Sequence, residues 1–185
     1  INSNKLTYFT ANEIASAMLY FILSLLKYQG KIEKDLLFIK IFASTTLATD
    51  IAKSFGIRVI DDLLVGYKWI GQVVEHMKDS SKFVFSFEDT CGYCRGDFIR
   101  DKGGDIGAVT AAEMVSFLKD QGKTIAEYLN EIYKKYGYYR NVLYQVEVEG
   151  KKGFEDIVKL YKAFRADPPR EFADLKVLKI IDRLD

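Results

Sequence analysis

Residues 83–105, FVFSFEDTCGYCRGDFIRDKGGD, hold the densest set of chemically capable side chains in this chain. An apolar run with strand alternation stops at two adjacent carboxylates, Glu88 and Asp89. The hydroxyl of Thr90, the glycines Gly92 and Gly96, and the charged cluster Arg100, Asp101, Lys102 follow. In open α/β proteins, loops at the carboxyl ends of strands hold ligands, because side chains there point into a crevice and the backbone has spare hydrogen-bonding groups. A polar, glycine-bearing loop of this kind is a candidate ligand site. Taken alone, Glu88 and Asp89 are more often a solvated strand-end pair or a helix cap. Arg100, Asp101 and Lys102 alone equally fit an exposed ion-pair cluster that contributes little.

Cys91-x-x-Cys94 in the same stretch raises thiol or zinc chemistry. A structural zinc site takes four ligands, and the chain offers no second cysteine pair and a single histidine, His76. A thioredoxin-like pair would sit at a helix N-terminus that depresses the thiol pKa, whereas this pair reads as part of a loop. Two cysteines three residues apart make no disulfide framework, which points to a reducing, cytoplasmic setting.

The elements that must position this loop alternate. Thr10 with Glu13 forms a capping box that opens a helix running to about Tyr28, stopped by Gly30. Residues 36–42, LLFIKIF, are too short for a helix and rich in Ile and Phe, so they read as a buried strand. Ser44, Thr45 and Thr46 open a helix through Lys53, and a second strand covers 57–64. Tyr67, Ile70, Val73, Val74 and Met77 recur at helical spacing. A strand over 83–87 leads into the candidate loop, and a helix over 106–121 follows. Thr124 with Glu127 is a further capping box, with Ile125, Tyr128, Leu129, Ile132 and Tyr133 as the apolar face of a helix that ends at Gly137.

This order predicts a three-layer α/β/α sandwich with a mostly parallel mixed sheet over residues 1–140. After it, 142–149 alternates as a half-exposed strand, 154–164 is helical up to Pro168 and Pro169, and 177–181 suggests a last strand. Two strands and a helix make a poor core by themselves, so 141–185 reads as an incomplete α+β segment, the start of a truncated domain. The chain opens at Ile1 without Met or a signal-like start, as a piece of a longer protein would.

Composition narrows the partners. Lys and Arg number 27 against 26 for Asp and Glu, so nothing invites nucleic acid or an acidic membrane. The most apolar stretch, 14–26, contains Ser16 and Ser24 and is too short to span a bilayer, which predicts a buried helix.

Four ordered segments, TANEI (10–14), GYKWIG (66–71), FEDTCGY (87–93) and GDFIRDKGG (96–104), carry a resemblance to the third-domain signatures of the α-D-phosphohexomutase family. The likeness is greatest to its phosphoglucomutase and phosphomannomutase branch, and it outweighs the solvated-pair reading of Glu88 and Asp89. By resemblance, Glu88 and Thr90 hydrogen-bond adjacent sugar hydroxyls, a task that suits a carboxylate accepting two bonds and a hydroxyl that donates or accepts. Lys68 is implied to contact the substrate phosphate, and Arg100 and Lys102 to form a positive wall, with Asp89 and Gly92 completing the loop. Asp89 stands where a second Glu is usual, Thr90 for Ser, Cys91 for Tyr, Gly103 for Asp and Val65 for Thr.

The resemblance implies an enzyme interconverting hexose 1-phosphate and hexose 6-phosphate, with Mg²⁺ as cofactor. The family's phosphoserine loop T-A-S-H-N-P, metal loop D-G-D-x-D-R and phosphate loop R-x-S-G-T-E-P do not occur here. Phosphoryl transfer is positioning plus charge neutralisation. The implied catalytic and metal residues therefore belong to the remaining domains of a parent chain, and this piece alone would bind hexose phosphate without turning it over. The alternative is a non-catalytic α/β interaction or sugar-phosphate-binding module.

Overall fold

The computed structural model describes residues 7–183, and the chain divides into two compact units, Ile1–Asn141 and Val142–Asp185. In the first unit, helix α1 (Ala11–Tyr28) begins where expected. Glu13 Oε2 accepts the Thr10 amide at 2.7 Å, and Thr10 Oγ1 accepts the Glu13 amide at 3.3 Å, so orphan donors at the helix start are satisfied reciprocally. The amide of Lys31 closes the far end on the Leu26 carbonyl at 2.8 Å.

Strands β1 (Leu37–Ile41), β2 (Arg58–Leu63), β3 (Phe83–Glu88) and β4 (Gly92–Arg95) form one sheet in the order β2-β1-β3-β4. β1 runs parallel to β2 and to β3, and β4 returns antiparallel to β3 with Glu88 opposite Gly92. Helices α2 (Thr46–Ser54), α3 (Tyr67–Glu75), α4 (Gly104–Asp120) and α5 (Ile125–Tyr136) complete the unit. α1, α2, α4 and α5 cover one face, where Met18, Leu23, Ile51, Met114 and Ile132 pack on Phe38, Phe85 and Phe87. α3 covers the other, with Tyr67, Ile70 and Val74 on Leu37, Ile39 and Ile41. β1 is covered on both faces, which explains why its sequence runs apolar without alternation.

The exception in β1 is Lys40, 1% exposed, whose ammonium donates to the carbonyls of Ile41 (3.1 Å), Ser44 (3.0 Å) and Asp61 (3.3 Å). Burial pulls its pKa down, against the attraction of Asp61. The lysine thus ties the exit of β1 to β2.

Four local expectations are corrected. The segment read as continuous loop contains β4, whose partner lies across a three-residue turn, and α4 starts two residues earlier than its apolar spacing suggested. In the second unit, 142–149 forms no strand. The predicted strand over 177–181 is irregular, while a two-residue ladder joins β5 (Glu171–Phe172) to β6 (Leu175–Lys176) beyond α6 (Gly150–Ala166). Alternation drives a strand only when a ladder and a core face accept it, and residues 142–149 are all exposed.

Among the described residues no helix is long and apolar enough to cross a membrane. Raised phenol pKa values bear on stability at alkaline pH. Burial pushes Tyr67, Tyr93 and Tyr128 well above the ordinary phenol value, and burial with Glu13 nearby pushes Tyr133 up to about 12. The unfolded chain releases these protons near pH 10, so the stability they confer is complete below about pH 10 and is lost as pH rises through the folded values. Lys40 works in the opposite sense, since its lowered folded value favours the folded state as pH approaches the ordinary 10.5, but it is one group against these phenols and that of Tyr139, which its bond to Asp50 also raises. Urea midpoints are expected to fall from pH 8 to pH 11 with tyrosinate absorbance rising in the same transition; a midpoint that holds at pH 11 would contradict this burial.

Candidate functional site

The chain leaves β1 for β2 on one side and later crosses to β3 on the other, so the sheet's switch point lies between β1 and β3 at their carboxyl ends. Crevices at such points collect ligands, because the two exit loops diverge there. Glu88, the last residue of β3, ends in this crevice and is 4% exposed. Its side chain shares the α3 side with Ser86, whose hydroxyl bonds the phenol of Tyr67.

A buried carboxylate costs several kcal/mol unless its oxygens are met. Glu88 Oε1 accepts the amide of Gly66 at 3.2 Å, and Oε2 accepts Lys102 Nζ at 2.5 Å. Gly66 caps α3 with φ +121°, a backbone conformation that side chains rarely adopt, and thereby turns its amide toward the carboxylate. The helix start adds favourable field for the negative charge. Lys102 reaches Glu88 by running over Gly92, where a Cβ would lie 2.2 Å from Lys102 Cδ. The base of the arm is pinned because Gly103 bridges Tyr93, its amide 2.9 Å from the Tyr93 carbonyl.

The other sequence-predicted residues take varied places. Asp89, Thr90 and Cys91 form the tip between β3 and β4, with Cys91 at φ +59° and Thr90 exposed. Lys68, Arg100 and Lys102 line one cavity of about 540 Å³ between α3 and the 99–102 segment. Lys68 is exposed, its ammonium 4.9 Å from the centre of the Trp69 ring. Arg100 is committed, donating to Glu75 at 3.0 Å and to the Asp97 carbonyl. The structure therefore brings Glu88, Gly92 and Lys102 into contact and sets Lys68, Arg100 and Lys102 around one cavity, while Asp89 and Thr90 lie in the β3–β4 turn and do not line it.

Sequence reasoning missed Gly66 as a donor, since an amide has no side-chain signature. It also missed Glu75, although the spacing of seven from Lys68 puts both on one helical face. Cys94 belongs to β4, where its thiol donates to the carbonyls of Gly96 and Ile99 at 3.7 Å, and burial pushes its pKa up. A protonated, donating thiol is a structural group and a poor nucleophile or metal ligand. Among the described residues no three His, Cys, Asp or Glu side chains converge as a metal site would, so they do not fit the Mg²⁺ that the resemblance implies. The arrangement can accept paired hydroxyls at a buried carboxylate and offer cations to an anion beside it.

The backbone of Gly92 has an ordinary φ, so alanine there is opposed first by the lysine arm, whose Cδ, Cε and Cγ are the atoms nearest a Cβ. Gly92→Ala is expected to dislodge Lys102 and lower unfolding stability by about 1–3 kcal/mol, the cost of a buried polar group losing a partner. Equal urea unfolding curves for the variant and the natural chain would show that the arm does not rest on Gly92.

The family model described as phosphoglucomutase/phosphomannomutase, alpha/beta/alpha domain III, matches residues 15–136. Phosphoglucomutases of Staphylococcus aureus strains N315 and USA300 are each 29% identical to this chain over 179 residues, 97% of this chain and 32% of theirs. The chain thus spans about a third of the length of these curated relatives. Two solved structures share the fold. A putative phosphomannomutase from Thermus thermophilus aligns with TM-score 0.54 and 20% identity over 70% of this chain and 26% of its own. The open form of pp63/parafusin, a phosphoglucomutase from Paramecium, aligns with TM-score 0.55 and 17% identity over 71% of this chain and 22% of its own. With a crevice at the switch point and the family model covering its whole sheet, the chain belongs to the phosphoglucomutase/phosphomannomutase family, residues 15–136 being its α/β/α domain III.

Proposed function

We propose that this chain is the sugar-reading part of a phosphohexomutase whose full-length parent interconverts hexose 1-phosphate and hexose 6-phosphate in carbohydrate metabolism. The observation that carries the reading is Glu88, a carboxylate buried at the end of β3 whose lysine partner is itself partly exposed. Its two oxygens suit two adjacent sugar hydroxyls, and Thr90 at the hairpin tip adds a hydroxyl that donates or accepts. Asp89 and Gly92 shape the turn that presents them. Lys68, with no ion pair among the described residues, is the cation best free to meet a phosphate. Arg100, held by Glu75, serves as a fixed wall of the cavity.

Glu88 and Lys102 bind and orient, and phosphoryl transfer is assigned to the remaining domains of the parent, which would also hold Mg²⁺ to neutralise phosphate charge. Residues 141–185 are read as the start of the parent's C-terminal domain, and the parent as a cytoplasmic enzyme.

Titration of this chain with glucose 6-phosphate, followed by amide NMR, is expected to perturb residues around Glu88. Glu88→Gln should weaken that binding by about tenfold or more, since one buried acceptor loses its charge. Equal affinities for the variant and the natural chain, with the fold intact by circular dichroism, would refute the assigned role of Glu88.

A further inference from the structure

We propose that Tyr67 is a positioning residue for the Glu88 site, its buried phenol fixing where α3 starts and so holding the Gly66 amide on the carboxylate, an inference that rests on the reading of Glu88 as the sugar acceptor. α3 begins without a side-chain cap, and Gly66 stands at φ +121°, so no local cap sets the place of the helix start. Two contacts to β3 set it instead. One is the Gly66 amide on Glu88 Oε1, which belongs to the site itself. The other joins the phenol of Tyr67, the first residue of α3, to the hydroxyl of Ser86, two residues before Glu88 on the same side of the strand.

The contact continues into a third segment. Cys94 stands opposite Ser86 in the β3–β4 ladder, its thiol bonds the Tyr67 phenol, and it donates to the carbonyls of Gly96 and Ile99. A thiol that gives its proton to a carbonyl accepts at sulfur, so the phenol donates to Cys94 and accepts from Ser86. Ser86, Tyr67 and Cys94 are 0%, 6% and 2% exposed, a buried relay running in one direction. It joins β3, which carries Glu88, to α3, which carries Gly66 and Lys68, and to the segment that leads to Arg100 and Lys102. Apolar contact alone would let α3 shift along the sheet, whereas a satisfied buried network specifies one position. Oε1 can accept a second bond beside the amide, so the place of the amide decides how the carboxylate meets a sugar hydroxyl.

The test follows the Gly66 amide proton by NMR together with the affinity for glucose 6-phosphate. In the natural chain, Glu88→Gln should move that resonance upfield, because a charged acceptor is lost. Tyr67→Phe should move it the same way with Glu88 intact and weaken glucose 6-phosphate by about three- to tenfold. Ser86→Ala cuts the same bond from the strand side, should act alike, and serves where Tyr67→Phe misfolds. The double variant should add little to either single one, since both remove one bond. A merely structural phenol would lower unfolding stability and leave the Gly66 amide where it is. A Gly66 resonance unmoved in both single variants, or one that moves while the affinity holds, overturns the positioning role and leaves the sugar reading standing. Absence of glucose 6-phosphate binding by the natural chain overturns the sugar reading and the positioning role with it, an outcome distinct from the other two.

Discussion

Burial of the Glu88 carboxylate is the constraint on which the functional end of the sheet depends. A carboxylate 4% exposed must have its oxygens filled, and the backbone around it is arranged to that end. Gly66 adopts a φ of +121° to aim an amide at Oε1, so α3 must begin there. Lys102 must reach Oε2, so Gly92 must lack a side chain and Gly103 must lie along β4. One buried charge therefore fixes where α3 starts, how the β3–β4 hairpin turns and where the 99–103 segment runs.

The same logic operates with the opposite sign one strand away. Lys40 is buried on β1, and three carbonyls accept its protons in place of a carboxylate. Two of them, from Ser44 and Asp61, belong to the β1 exit and to β2, so the ammonium holds neighbouring strand ends at a set spacing. The two buried charges differ in what they permit. Lys40 is enclosed by backbone and has nowhere to go, which suits a structural staple. Glu88 faces a flexible lysine stem, which suits a site whose partner can be exchanged.

Signals confined to a few residues were legible in the sequence. Both capping boxes, at Thr10 with Glu13 and at Thr124 with Glu127, appear as read, because their chemistry closes within one helical turn. Apart from β4, the order of strands and helices through Tyr136 follows from apolar spacing, and the sheet is parallel where helices connect its strands. What was lost depends on partners distant in sequence or on backbone. β4 is four residues, GYCR, that look like a turn until Glu88 is placed opposite Gly92. In the second unit, alternation over 142–149 met no ladder, and the pairing fell instead across Ala173 and Asp174, whose positive φ values make the tight turn. Arg100 was legible as a cation beside the site, whereas its commitment to Glu75 required the packing of α3 against the 99–102 segment.

That commitment sorts the cations of the cavity by what they can still do. An arginine already forked between a carboxylate and a carbonyl offers a ligand little beyond its field, since moving it would strand Glu75 and the Asp97 carbonyl together. A lysine whose ammonium lies over an indole gives up only about 0.5–1 kcal/mol at an exposed position when it turns to a stronger anion. Lys102 lies between these limits, bound to a charge yet bound by a single flexible stem. The cavity thus holds one cation shared between a carboxylate and a carbonyl, one over an indole and one on the Glu88 carboxylate.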